Sequence, residues 1–347
     1  MVEMLLNRFL IRKHIIRGYA MRKLLLGTTA LAAAATLTAN AALADVSISG
    51  SYEFKYLSRS SNDTTVDGTS FAHGDSEMIV NFTSQTDSGL NLSYRYDIGA
   101  VASDGAGLTG DENSLSIAGG FGKIVLGTDD DAADSYNIDE MDLIAEEPTA
   151  GTTNSSIRRN SAIASTDAMK VSYHMPAVGG LTAGFSHADS GPQGSADIAS
   201  YGAKYSMDAG GAAITLGYAT KTTENATQDQ DDTNMGVKIV SGDVSLIISQ
   251  GQFEADDEDI ESQGAAISYK MPNGMTLGAF TFKSEDDQDV GEEYTGSGAE
   301  VQYSIASGLT AVITVVDYDY KVTAANHEAT PVADSGTATQ LTLKTSF

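Results

Sequence analysis

Tyr269-Lys270-Met271-Pro272-Asn273-Gly274-Met275-Thr276-Leu277 is a strand end, a tight turn and the start of a second strand. The phrase recurs. Val171-Ser-Tyr173-His-Met175 runs into Pro176, Tyr205-Ser-Met207 into Asp208, and Tyr303-Ser-Ile305 into Ala306-Ser307-Gly308. After each turn the chain resumes an apolar alternation, such as Leu181-Thr-Ala183-Gly-Phe185, Ile214-Thr-Leu216-Gly-Tyr218 or Leu309-Thr-Ala311-Val-Ile313. The repeating unit is a hairpin.

Successive side chains on a strand point to opposite faces, so a period of two fixes which residues share a face. Val46, Ile48, Tyr52, Phe54 and Tyr56 fall on one face of the first strand, with Ser47, Ser49, Ser51, Glu53 and Lys55 on the other. Leu90, Leu92, Tyr94, Tyr96 and Ile98 stand in the same way against Asn91, Ser93, Arg95 and Asp97. Strands read in this manner fall near 46–57, 77–86, 90–98, 113–118, 123–127, 168–175, 181–188, 197–207, 212–220, 233–240, 244–252, 262–271, 275–283, 297–305, 309–320 and 337–347, about sixteen.

Their connections alternate between short turns, as at Asp87-Ser-Gly89 and Ser241-Gly-Asp243, and loops of about nine to forty residues. Short turns at one end and long loops at the other describe an all-β, antiparallel transmembrane barrel of the outer-membrane type. An open edge cannot sit in lipid, so the sheet must close. Proline, which cannot donate a ladder bond, tests this: Pro148, Pro176, Pro192, Pro272 and Pro331 all fall in turns or loops. Charge tests it again, because a base on the lipid face near mid-membrane costs about 2–4 kcal/mol. Lys55, Arg95, Lys170, Lys204, Lys238, Lys270 and Lys344 all take the polar parity. A soluble sandwich would alternate too, but it has no reason to sort its connections by length.

The first residues follow another pattern. Met21-Arg22-Lys23 is a basic start, Leu24 to Leu37 a short apolar run, and Ala42-Leu43-Ala44 a small-residue end, which together make residues 21–44 a secretory signal peptide cleaved before Asp45. Residues 1–20 precede it and read as an over-long start. Residues 45–347 form one barrel domain, since the hairpin repeat runs through them without a hinge. The chain has no cysteine, which removes disulfides and thiol chemistry. A formal net charge of −27, with six of the bases lying in residues 1–44, makes nucleic acid a poor partner.

Asp45-Val-Ser-Ile-Ser-Gly50, the stretch Asn113-Ser-Leu-Ser-Ile-Ala-Gly-Gly-Phe-Gly-Lys-Ile-Val-Leu-Gly127 and the terminal Phe347 together resemble the general porins of Gram-negative outer membranes. The resemblance covers residues 45–347. It implies a sixteen-stranded barrel, a homotrimer, and a third loop folded into the lumen to narrow the pore. Where the family often has Arg after Leu-Gly, this chain has Thr128 and then Asp129-Asp130-Asp131. Its constriction charges are therefore expected to differ.

The loop at 128–157 occupies that third position. Asp129, Asp130, Asp131, Asp134, Asp139, Glu140 and Asp142 are the candidate acids of the constriction, and Lys55, Arg95, Arg158 and Arg159 the candidate pore-lining bases. Opposed charges across a narrow wet passage sort solutes by charge. The expected function is passive diffusion of small hydrophilic solutes and ions across the outer membrane, with a mild cation preference, no enzymatic step and no cofactor. The acidic loops Glu254 to Glu261 and Glu285 to Glu293 offer at most weak attraction for divalent cations, since Asp256-Asp-Glu-Asp259 lacks the spaced ligands of a calcium loop. A solute-specific porin, which needs aromatic residues along the lumen, and a non-channel barrel for adhesion or structure are the alternatives. Gly105-Ala-Gly107-Leu-Thr-Gly110 matches a dinucleotide fingerprint but opens no helix, and His73, His174, His187 and His327 have no metal spacing.

Overall fold

A computed structural model describes residues 44–62, 67–74, 76–100, 108–145, 162–163, 165–189, 196–224, 229–255, 258–287, 292–321 and 333–347. The signal segment, Arg158 and Arg159 lie outside the described residues.

The strands are β1 (Asp45–Ser61), β2 (Gly68–His73), β3 (Glu77–Gln85), β4 (Asn91–Ala100), β5 (Leu108–Gly119), β6 (Gly122–Thr128), β7 (Met169–His174), β8 (Leu181–Ala188) and β9 (Asp197–Ala209). They continue with β10 (Ala212–Glu224), β11 (Asp229–Ser241), β12 (Val244–Ala255), β13 (Glu258–Lys270), β14 (Met275–Asp286), β15 (Glu292–Ala306), β16 (Leu309–Lys321) and β17 (Asp334–Ser346). From β3 onward each strand pairs antiparallel with the next, and β1 pairs with β17 from Ser51↔Ser346 to Ser61↔Gly336, so the sheet closes. Closure satisfies the backbone groups that lipid cannot.

β2 runs along Phe54–Arg59 of β1 and β3 along Asp45–Ser51. They are two lengths of one stave, so seventeen segments make a barrel of sixteen. The sequence reading missed β2, because the alternation breaks between His73 and Glu77.

One face of the wall carries exposed apolar side chains, among them Tyr205, Leu216, Met235, Ile248, Ile267, Val301 and Ile313. Every strand base named above lies one residue out of step with that face, on the opposite side. At the hairpin where the reading began, Met271 N–H donates to Met275 O at 2.8 Å and Gly274 N–H to Met271 O at 3.1 Å. Gly274 has φ 84°, a conformation that a side chain would strain. No described helix is long and apolar enough to cross a membrane.

At the other end the strands run on further than expected. Glu254 pairs with Asp259, Glu261 with Glu285, and Glu285 with Glu293. Among the described residues, what reads in sequence as two acidic loops is therefore mostly paired strand. Asp and Glu are poor strand formers by composition, but an antiparallel ladder bonds backbone to backbone whatever the side chain, and here Glu258, Asp259, Asp286 and Glu292 are buried.

Candidate pore constriction

Between β6 and β7 the chain forms α1 (Ala132–Tyr136) and a 3-10 turn at Glu140–Leu143. This segment lies on the polar face of the wall, α1 against β7 to β10 and the 3-10 turn against β12 to β14. Its seat is a row of glycines. Gly184 faces Gly202 across β8 and β9, and Gly217, Gly236, Ser249 and Gly264 are successive neighbours across β10 to β13. A Cβ at Gly202 would lie 2.6 Å from Tyr136 Cβ, and at Gly236 2.3 Å from the Ile138 carbonyl oxygen. At Gly264 it would lie 1.9 Å from the Glu140 carboxylate. The absent side chains let the segment rest on the backbone of the wall.

Polar groups of the wall take up what the segment leaves open. The Ala132 and Ala133 N–H groups, orphans of the first helical turn, donate to Ser186 Oγ at 3.0 Å and Ser200 Oγ at 3.1 Å. Ile138 N–H donates to Asn234 Oδ1 at 3.0 Å, and Lys204 Nζ to Ser135 O at 3.0 Å. Tyr136 Oη lies 3.0 Å from His174 Nδ1.

The expected acids separate into two groups. Asp131 is buried, with Lys170 Nζ at 2.9 Å and Lys221 Nζ at 3.4 Å, and it accepts from Thr166 N–H at 2.9 Å. Asp139 is buried and accepts from Met141 N–H at 2.8 Å, and buried Glu140 accepts from Ser249 Oγ at 2.8 Å. Asp131 and Glu140 face the wall, and Asp139 is turned back on the segment itself. Asp129, Asp130, Asp134 and Asp142 keep partial exposure.

Asp129 and Asp130 meet a residue that the sequence reading did not name, Glu112 on β5. Carboxylate oxygens of the three lie within 4.8 Å of one another, the one group among the described residues placed to offer three ligands to a cation. Glu112 shares the parity of Ser114 and Ser116. Extending that alternation by one step would have found it, but Asp111-Glu112 reads as a loop. Arg95 lies 3.4 Å from Glu112 and also pairs with Asp97. Asp167, outside the strands, completes the group: burial, then the charges of Asp130 and Asp111, push its carboxyl above the usual range. Lys55 stands on β1, paired with Glu53 at 3.3 Å.

The polar face also holds aromatic residues. Phe282 and Tyr294 stack at 5.5 Å, and Tyr294 and Tyr318 at 6.4 Å. Phe282 sits opposite Gly296 and Phe280 opposite Gly298, and each ring lies over its glycine. These rings are buried, with Met141 and Leu143 of the segment packed on their cluster. They form a floor under the segment.

Residues 27–323 match the family model described as Gram-negative porin. No curated protein sequence matches the chain. Among solved structures, an anion-selective porin from Comamonas acidovorans superposes with TM-score 0.67 at 17% identity, covering 88% of this chain and 100% of that one. OmpT, an outer membrane protein of Vibrio cholerae in its trimer form, gives TM-score 0.66 at 15% identity over 88% of this chain and 99% of that one. A mutant of the Rh. blastica porin gives TM-score 0.61 at 14% identity over 87% and 100%. At these identities the likeness is one of fold. The match of the family model over most of its length makes this chain a member of the Gram-negative porin family, a β-barrel of the outer membrane.

Proposed function

We propose that the protein is a water-filled channel for passive diffusion of small hydrophilic solutes and ions, mildly selective for cations and without a catalytic step. The observation that carries this is the segment from Asp131 to Ala145, laid along a glycine row on the polar face of a closed wall. On this reading it is the inward-folded third loop and narrows the passage. The polarity of the passage follows from the charges that remain open. Asp131 is compensated by two lysines, whereas Glu112, Asp129 and Asp130 gather beside Arg95, which Asp97 also engages. Acidic groups beside a low-dielectric wall focus a field that attracts cations.

The Comamonas acidovorans structure is that of an anion-selective porin. Shared fold does not carry selectivity over, because selectivity depends on which charges line the gap. The solute-specific alternative asks for aromatic faces open to the passage, and the rings on this wall are buried. A homotrimer fits the trimer form of the Vibrio cholerae neighbour, and cleavage before Asp45 fits a first strand that opens at that residue. The test is single-channel recording in a planar bilayer, where stepwise current proportional to salt concentration is expected. Absence of any conductance from folded protein would refute the channel.

A further inference from the structure

The far end of the segment is held by opposite charges on two strands. Ala145 N–H donates to Glu300 Oε1 at 2.9 Å, and Ala145 O accepts from Lys344 Nζ at 3.0 Å. Glu300 stands on β15 and Lys344 on β17, with β16 between them. Glu300 is only 2% exposed, and it also accepts from Thr314 Oγ1 at 2.9 Å and Gln302 Nε2 at 2.7 Å. Lys344 is itself fixed by Glu53 Oε1 at 3.0 Å. Burying a carboxylate is costly unless donors surround it, and one of the donors around Glu300 comes from the segment.

This arrangement mirrors the near end, where Lys170 on β7 and Lys221 on β10 hold Asp131. Between the two ends the contacts differ in kind: neutral hydroxyls and Asn234 take single N–H groups, and Ile144 rests over Gly278. Lys204 and Glu140 also lend charge there, at Ser135 O and Ser249 Oγ, but groups of charged residues from more than one strand hold the segment at Asp131 and at Ala145. A residue bonded at both its N–H and its C=O from separated strands is fixed along the wall and across it. Charge-assisted bonds are the stronger ones for that purpose.

We propose that Glu300 and Lys344 are positioning residues of the channel. They hold Ala145 to the wall and, with the Asp131–Lys170–Lys221 group, make the segment a strap fastened at both ends, so the open cross-section stays constant. This rests on the reading of the segment as the constriction. Loss of the Glu300 carboxylate frees the Ala145 N–H to bond water, and the unfastened end then moves in and out of the passage.

The experiment records single channels of the full-length protein as wild type and as Glu300→Ala, Glu300→Gln, Lys344→Ala and Lys344→Arg. Open-channel noise and visits to subconductance levels are expected to rise several-fold in Glu300→Ala and Lys344→Ala. Glu300→Gln keeps an acceptor for Ala145 and Lys344→Arg keeps a donor, so both are expected to stay near wild type. Heat-modifiable gel mobility shows which variants are folded. Lys344, more exposed than Glu300, carries the test if Glu300→Ala does not assemble. A role in stability alone would lower the unfolding temperature and leave the noise of folded channels unchanged, which overturns the proposal. A wild type that conducts nothing overturns instead the channel reading beneath it.

Discussion

Two stretches of one acidic run have opposite fates. At its root, Asp129 and Asp130 stand with Glu112 and Asp167, partly exposed or at the surface, where carboxylates face one another. On its seat, Asp131, Asp139 and Glu140 are buried and engaged by Lys170 and Lys221, by Met141 N–H and by Ser249. The same residue type thus does two jobs, and what separates them is the wall beneath. Where the wall offers lysines, hydroxyls and room, a carboxylate becomes a fastening. Where it offers another carboxylate, the charges add.

The comparison breaks most visibly at Asp131. Asp131→Ala leaves two buried lysines without their counter-charge, a change that costs about 3–5 kcal/mol in comparable buried pairs. A large fall in the unfolding midpoint on heat-modifiable gels is expected. An unchanged midpoint would mean that the buried group does not fasten the segment.

Gly236→Val comes next. Its Cβ would meet the Ile138 carbonyl oxygen at 2.3 Å, a backbone atom that cannot rotate away. Overpacking of this kind costs about 1–3 kcal/mol, and the segment is expected to lift from the wall and narrow the passage. Single-channel conductance should fall; a wild-type value would place the segment elsewhere in solution.

A smaller effect concerns pH. Asp167 has its carboxyl raised by desolvation and by the charges of Asp130 and Asp111, so it ionises at higher pH than a free carboxylate. Cation preference should therefore strengthen with rising pH, and Asp167→Asn should flatten part of that rise. The sign for stability is opposite: between the unfolded and the raised folded value the native state binds more protons, so this group's contribution weakens as pH rises through that window. Reversal potentials taken across that range check the first, and gel midpoints the second.

The barrel was legible because its rule is local. Each strand must show one face to lipid, so the alternation at Leu309-Thr-Ala311-Val-Ile313 and the parity of Lys270 and Lys344 already state the fold. β2 and the outer ends of β12 to β15 were not legible, since the apolar alternation that marks a lipid face does not extend over them. The acidic loop was visible as a composition, but its division into root and seat was not. That division depends on Gly217, Gly236 and Gly264 coming into register as one row, and on lysines of β7 and β10 meeting one carboxylate. Both facts belong to the closed sheet. The inner aromatics were overlooked for a similar reason: Phe280 and Phe282 lie flat only because Gly298 and Gly296 stand opposite.

The most direct test is the reversal potential across a salt gradient, kept near or below 0.1 M so that screening does not shorten the field below about 10 Å. Wild type, Glu112→Gln/Asp129→Asn/Asp130→Asn and Asp139→Asn/Glu140→Gln are compared. The account predicts a cation preference that the root variant loses in large part and the seat variant keeps. A wild type that prefers anions, or a preference that falls with the seat and survives the loss of the root, would contradict it.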